Sequence, residues 1–119
     1  MSKKIMILED DEATAALIRF YLEEEGFEVS ISSKGKGFMD KVAEYQPDLV
    51  TLDIMLPDTD GFSIFKKLQQ DERTKNVPVI FVTVNEGEKE KGIKMGASGY
   101  IVKPFNEDEL KGTIKSILS

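Results

Sequence analysis

Five short apolar segments alternate with five segments of helical period, and this alternation constrains the fold more than any other feature. Residues 5–8, 49–52, 77–82 and 100–102 are nearly continuous apolar runs, as in strands that are buried on both faces. Residues 27–31 alternate apolar and polar side chains, which is typical of a half-exposed edge strand. Alternating strands and helices form right-handed crossovers. The sequence therefore predicts an α/β fold of the (βα)5 type, with a doubly wound and mainly parallel sheet.

Helices are predicted between these runs from apolar side chains at helical spacing and from capping residues. The first helix is predicted over residues 14–25, with Leu17 in its apolar stripe, and the fourth over residues 86–95. Two glycines inside the fourth helix lower its propensity and indicate a locally soft element. Asn106 followed by Glu109 predicts a capped start for the fifth helix. The other stripe residues are Ile18, Tyr21, Leu22, Phe38, Val42, Tyr45, Phe62, Phe65, Leu68, Leu110, Ile114, Ile117 and Leu118.

The chain contains no Cys, His or Trp, which excludes several classes of chemistry. Disulfides, thiolate nucleophiles, imidazole bases and zinc sites built from Cys or His are impossible. The net charge is 16 − 22 = −6, and the arginines form no basic patch, so this chain is not expected to bind nucleic acid directly. No membrane segment, signal peptide or linker is expected, and residues 1–119 are predicted to form one domain.

Polar side chains follow the strands at the points where the strands end. Glu9 and Asp10 follow the first strand, Asp53 the third, Thr83 the fourth and Lys103 the fifth. Because open α/β sheets bind ligands at the carboxyl ends of their strands, we expect these residues to converge. Clustered carboxylates repel one another unless a cation lies among them. An all-oxygen set without His or Cys suits Mg²⁺, so the sequence predicts a magnesium site.

Each of these residues also has an ordinary structural explanation. Asp11 has the position of a helix cap, Thr83 fits a plain strand residue, and Lys103 fits a solvated lysine. Tyr100 fits an edge-strand aromatic whose hydroxyl contacts water. The joint placement of the candidates at the ends of four strands nevertheless favours a functional site.

A nucleotide cradle is not predicted. The first strand leads into acidic residues rather than into a glycine-rich loop. Gly35 and Gly37 match the beginning of a dinucleotide-binding motif, but Asp40 stands where that motif has its third glycine. The two glycines are therefore assigned to a loop.

Together these motifs resemble the receiver domain of bacterial two-component response regulators. The resemblance is carried by residues 5–11 and 52–57, by Thr83 and by residues 96–105, and it covers the whole chain. It implies a flavodoxin-like fold with sheet order 2-1-3-4-5. It also implies a cytoplasmic protein of a two-component phosphorelay.

The resemblance implies a phosphoacceptor and its metal ligands. Asp53 would accept a phosphoryl group from the phosphohistidine of a sensor histidine kinase or a histidine phosphotransfer protein. Asp10 and Asp53 would bind Mg²⁺ directly together with the backbone carbonyl of Met55, and Mn²⁺ can substitute. Glu9 would act through water.

The resemblance also implies a switch. Thr83 and Lys103 would contact the phosphoryl oxygens, and the bond between Lys103 and Pro104 is a candidate cis peptide. After phosphorylation Thr83 would shift toward the phosphoryl group, and Tyr100 would turn inward. This would alter the face formed by helix 4, strand 5 and helix 5, which would control a downstream partner, a homodimer or a fused effector domain.

Two other functions are open to such a chain. The first is a phosphorylation-independent pseudo-receiver that acts as an interaction module, although the intact set of Asp10, Asp53, Thr83 and Lys103 favours the switch. The second is a magnesium-dependent hydrolase, but enzymes similar to haloacid dehalogenases need a second Asp where Met55 lies. We therefore expect phosphorylation and slow dephosphorylation of the chain itself, without multiple-turnover enzyme activity.

Two features depart from the pattern of this family. Val84 occupies a position where a small residue is usual, which predicts narrower access to Asp53 and slower phosphorylation by small donors. The segment between Thr83 and Lys103 is slightly shorter than in many relatives, and this bears on the geometry of helix 4.

Overall fold

Five parallel strands form the centre of the computed structural model, which describes residues 2–119. The strands are β1 (Lys4–Leu8), β2 (Glu28–Ser32), β3 (Leu49–Leu52), β4 (Val79–Thr83) and β5 (Gly99–Val102). Their order across the sheet is β2-β1-β3-β4-β5, and every neighbouring pair is parallel. The predicted α/β class and the strand order are confirmed.

One helix follows each strand. The helices are α1 (Glu12–Glu24), α2 (Phe38–Tyr45), α3 (Gly61–Gln70), α4 (Lys89–Met95) and α5 (Glu107–Leu118). A short 3₁₀ turn, Glu86–Glu88, precedes α4. Within residues 2–119, every helix is too short or too polar to cross a bilayer.

The sheet separates two hydrophobic cores, because alternate residues of each strand point to opposite faces. Helices α2, α3 and α4 cover one face, where the core includes Met6, Leu8, Phe38, Val42, Val50, Leu52, Phe62, Phe65, Leu68, Phe81 and Tyr100. Helices α1 and α5 cover the other face, where the core includes Ile5, Ile7, Ile18, Leu22, Leu49, Ile80, Val82, Ile101, Leu110 and Ile114. Strands β1, β3, β4 and β5 thus contribute side chains to the cores on either face, and the edge strand β2 packs Val29 and Ile31 against the core that α1 and α5 cover.

Side chains cap the starts of three helices. The Asp11 carboxylate accepts a hydrogen bond from the N–H group of Thr14 at 3.0 Å, and Asn106 accepts one from the N–H group of Glu109 at 2.7 Å. Both caps agree with the sequence prediction. Asp60 caps α3 in the same way, which the sequence analysis did not predict. Such caps contribute about 1 kcal/mol each because they satisfy N–H groups that the helix leaves unpaired.

Some predicted boundaries and contacts are wrong. Leu17 is 41% exposed, so the predicted apolar stripe of α1 is wider than its buried face. The buried residues of α1 are Ala15, Ile18 and Leu22. Strand β4 begins at Val79 rather than at residue 77, because Pro78 has no N–H group with which to extend the ladder. The predicted fourth helix is divided into the 3₁₀ turn and α4.

The glycine inside α4 has a packing role. A Cβ atom at Gly92 would lie 3.1 Å from the ring of Tyr100 and 3.2 Å from the ring of Phe81. The backbone of α4 therefore approaches the sheet more closely than a larger residue would allow. The low helix propensity that the sequence shows is the cost of this close contact.

Replacing Gly112 in α5 with Ala should raise the free energy of unfolding by about 0.5–1 kcal/mol, because no heavy atom lies within 4 Å of the added Cβ. Gly92→Ala is the matched comparison: the propensity gain is the same, but the methyl group presses on Tyr100 and Phe81. Urea unfolding at neutral pH would measure both. Equal stabilisation by the two substitutions would contradict the packing role of Gly92.

Candidate functional site

Three carboxylates meet at the carboxyl edge of the sheet. Leu8 of β1 pairs with Leu52 of β3, so the next residues, Glu9 and Asp53, leave the sheet side by side. Both are almost fully buried, with 3% and 7% of their surface exposed, whereas Asp10 is exposed. Carboxylate oxygens of the three residues lie within 4.8 Å of one another. The structure therefore brings together the three acids that the sequence placed at strand ends.

Lys103 joins two of these acids. Its Nζ atom lies 2.5 Å from Oε1 of Glu9 and 3.0 Å from Oδ2 of Asp53. Its position is fixed by the backbone, because the N–H group of Lys103 donates to the carbonyl oxygen of Thr83 at 2.8 Å. The following peptide bond, between Lys103 and Pro104, is cis. The ammonium group is thus an integral part of the acidic cluster.

Burial and hydrogen bonding have opposite effects on the pKa values of Glu9 and Lys103. Burial raises the pKa of Glu9, and the hydrogen bonds from Lys103 and from the N–H group of Asp11 offset this only in part. Burial also lowers the pKa of Lys103, but its hydrogen bonds to Glu9 and Asp53 outweigh that effect and the pKa is raised. The formal charge of Glu9, Asp10, Asp53 and Lys103 is −3 + 1 = −2.

This donor set fits a divalent cation. The cluster offers only oxygen ligands and carries the formal charge of −2 that such an ion neutralises. Glu9 is buried beside Asp53, so negative charge is concentrated within the cluster. The N–H group of Met55 donates to Oδ1 of Asp53 at 3.3 Å, which places the Met55 backbone beside the cluster.

Thr83 and Tyr100 are both tied to Asn85. Thr83 is completely buried at the end of β4, and its hydroxyl oxygen accepts a hydrogen bond from the N–H group of Asn85 at 3.3 Å. The Tyr100 ring packs on Phe81 with 5.9 Å between centroids, and its hydroxyl donates to the carbonyl oxygen of Asn85. Tyr100 thus already has an inward position. The alternative of an edge-strand aromatic whose hydroxyl contacts water is wrong.

Two residues that contact this site, Asn85 and Gly61, are not among the site residues predicted from the sequence. Asn85 links Thr83 to Tyr100 through its backbone, and no side-chain pattern reports such a contact. A Cβ atom at Gly61 would lie 2.2 Å from the carbonyl oxygen of Asp53, so only glycine fits there. The cluster of Pro, Asp and Gly in residues 57–61 is the available sequence signal for Gly61, but this composition indicates only a turn.

Val84 is 65% exposed at the rim of the site. It lines a shallow cleft of about 330 Å³ together with Thr14, Leu17, Lys103, Pro104 and Phe105. Narrower access to Asp53 because of Val84 stays a prediction.

A family comparison agrees with the fold. The model of the response regulator receiver domain matches residues 5–115. The chain therefore belongs to the receiver domain family of two-component response regulators.

Individual relatives support this assignment. The chain is 39% identical over 120 residues to the phosphate regulon transcriptional regulatory protein PhoB of Rhizobium meliloti (strain 1021), covering 99% of this chain and 53% of PhoB. It spans about half the length of the first curated relatives that it matches.

Two solved structures show the same architecture. A putative response regulator from Chloroflexus aurantiacus J-10-fl has a TM-score of 0.93 and 29% identity, covering 99% of this chain and 98% of that one. The receiver domain of the sensor histidine kinase PA1611 from Pseudomonas aeruginosa PAO1 has a TM-score of 0.87 and 26% identity, with full coverage of both chains (100% each). That receiver domain holds a magnesium ion in its active-site cleft.

In a chelator, Glu9→Gln should gain stability relative to the wild type as the pH rises toward 7, because only the wild type has a buried carboxyl group that must ionise. The raised pKa means that folded Glu9 holds its proton more tightly than unfolded Glu9. The stability contributed by Glu9 is therefore present at low pH and falls as the pH rises through its folded pKa. In thermal unfolding experiments, the stability of Glu9→Gln relative to the wild type should therefore increase over the same pH range. Exposed Glu44→Gln is the control, and a constant advantage at all pH values would contradict the burial argument.

Proposed function

We propose that this chain is a phosphorylation switch in which Asp53 accepts a phosphoryl group from a phosphohistidine. The donor would be a sensor histidine kinase or a histidine phosphotransfer protein. The observation that carries the proposal is the buried Asp53 carboxylate, held by Lys103 within an acidic cluster at the carboxyl edge of the sheet. Because the chain itself has no histidine, it cannot be the donor.

The transfer needs alignment and charge neutralisation rather than covalent help from other side chains. A carboxylate oxygen of Asp53 attacks the phosphorus atom, the bond between phosphorus and the donor nitrogen breaks, and that nitrogen keeps the electron pair. The Lys103 ammonium neutralises charge on the transferring oxygens, and the Thr83 hydroxyl donates a hydrogen bond to one of them. Both residues lie at the ends of strands adjacent in the sheet.

Asp10, Asp53 and the backbone carbonyl of Met55 would hold Mg²⁺, and Glu9 would act through water. When bound, the ion would neutralise phosphoryl oxygens. The charge of −2 and the oxygen-only donor set support this assignment, as does the magnesium site of the PA1611 receiver domain. Mn²⁺ fits the same ligands.

Phosphorylation would be transmitted through Thr83 and Tyr100. A phosphoryl group adds roughly −1.5 to −2 charge units and strong hydrogen-bond acceptors. Thr83 would turn toward these acceptors, which changes the environment of Asn85 and of the Tyr100 hydroxyl bonded to it. The output would be an altered surface of α4, β5 and α5, read by a partner protein, a second copy or an effector domain. The acyl phosphate would hydrolyse slowly, without turnover of an external substrate.

The Mg²⁺-dependent phosphorylation of Asp53 is tested with a small acyl or amidophosphate donor, followed by intact mass. We expect one added phosphoryl group that requires Mg²⁺ and is lost in Asp53→Asn. Asp48→Asn is the matched control, since this aspartate binds the N–H group of Lys4 at the opposite edge of the sheet. Lys103→Ala should slow the reaction by about 10²-fold or more.

Persistent phosphorylation of Asp53→Asn would assign the acceptor to another residue. A wild-type chain that no donor phosphorylates, including a phosphorylated histidine phosphotransfer protein, would favour the pseudo-receiver.

Thr83→Ala should leave phosphorylation of Asp53 largely intact but uncouple it from the α4–β5–α5 surface, because Lys103 still neutralises the phosphoryl group. Amide chemical shifts of α4 and β5, recorded with and without phosphorylation, would measure the coupling. Thr74→Ala is the control, since Thr74 is a buried threonine that donates to the carbonyl oxygen of Leu68 outside the site. Shift changes of wild-type size in phosphorylated Thr83→Ala would refute the proposed route.

A further inference from the structure

A single carboxylate joins two loops beside the site. Oδ1 of Asp58 accepts a hydrogen bond from the N–H group of Gly35, and Oδ2 accepts one from the N–H group of Lys36, both at 2.8 Å. Asp58 belongs to the segment between β3 and α3, and its partners lie 22 and 23 residues away, between β2 and α2. The loops are also in close contact, because a Cβ atom at Gly35 would lie 2.5 Å from the methyl group of Thr59.

The loop that carries Asp58 also carries Asp53, and residues 53–60 are called the phosphoacceptor loop below. The N–H group of Leu56 donates to the carbonyl oxygen of Thr59 at 3.2 Å, which closes a turn with Asp58 at its tip. At the base of this turn Met55 pairs with Asp60 in an antiparallel bridge. The tip of the loop and the backbone of Met55 are therefore parts of one small hydrogen-bonded unit.

We propose that Asp58 is a positioning residue for the cation site. Its two hydrogen bonds hold the tip of the phosphoacceptor loop against the β2–α2 loop, and they thereby fix the Met55 carbonyl at the base. The inference rests on the proposed function, in which that carbonyl binds Mg²⁺. Without this anchor, the loop would have to be ordered each time the ion binds, and that entropy cost would weaken binding.

The charge of Asp58 strengthens the anchor. The hydrogen bond from the N–H group of Gly35 is the largest cause of a lowered pKa of Asp58, so its carboxylate is ionised at neutral pH. Hydrogen bonds to an ionised acceptor are roughly twice as strong as neutral ones. An amide at this position keeps one acceptor oxygen and loses the other. The Gly35–Gly37 segment does not complete a dinucleotide-binding motif. Its backbone N–H groups instead bind the Asp58 carboxylate.

Isothermal titration calorimetry with Mg²⁺ on the unphosphorylated chain tests the proposal. Asp58→Ala should raise the Kd of Mg²⁺ about three- to tenfold, which is less than the roughly 10–100-fold effect of groups bonded directly to a ligand. Asp58→Asn should give a smaller increase. Asp71→Asn is the matched control, because Asp71 also accepts a backbone N–H group, that of Arg73, but at the far end of α3.

Phosphorylation kinetics give a second readout. In Asp58→Ala the Mg²⁺ concentration for half-maximal rate should rise, while the rate at saturating Mg²⁺ should return to near the wild-type value. Gly35→Ala disturbs the same contact from the other loop and should shift the Kd in the same direction. It provides the test independently if Asp58→Ala does not fold, which thermal unfolding would reveal.

The outcomes separate this inference from the function on which it rests. A wild-type Kd in both Asp58→Ala and Gly35→Ala, or a rate lowered equally at all Mg²⁺ concentrations, would overturn the positioning role alone. A wild-type chain that binds no Mg²⁺ would overturn the proposed function together with the inference.

Discussion

The ion pairs of one lysine hold the site together. Lys103 places an ammonium group between the carboxylates of Glu9 and Asp53, which are 94 and 50 residues away in the sequence. Two carboxylates buried side by side would otherwise favour protonation or local unfolding. One ammonium group offsets part of this repulsion and leaves the cluster with an excess of negative charge. That excess of negative charge favours the binding of a cation at this edge of the sheet.

The sheet makes this interaction possible. Strands β1 and β3 are neighbours in register, so their following residues lie side by side, and β5 brings Lys103 to the same edge beside Thr83. The hydrophobic side chains of the strands fix that register, because a slip of one residue would turn every core side chain to the wrong face. The stability of the two cores thus determines the positions of the charges.

Sequence reasoning succeeded where a residue is placed by a strand. Apolar runs locate strand ends, and strand ends locate Lys103 and the acids without further information, although the strand order came from a family resemblance. Sequence reasoning failed where the position of a residue depends on a loop or on the width of the buried face of a helix. Leu17 has correct helical spacing but lies beyond the covered stripe. Asn85 acts through its own backbone groups, Asp58 binds backbone groups of a distant segment, and Gly61 acts through the absence of a side chain. Apolar periodicity reports none of these contacts.

The division of the interior into two cores has a consequence for how such a molecule can change shape. Helix α4 and Tyr100 belong to the core that also contains α2 and α3, whereas α1 and α5 share the opposite one. A rearrangement of α4 therefore repacks only one side of the sheet. The packing of α1 on the opposite face can stay unchanged, so the work needed to move α4 is limited to local repacking while the global fold persists.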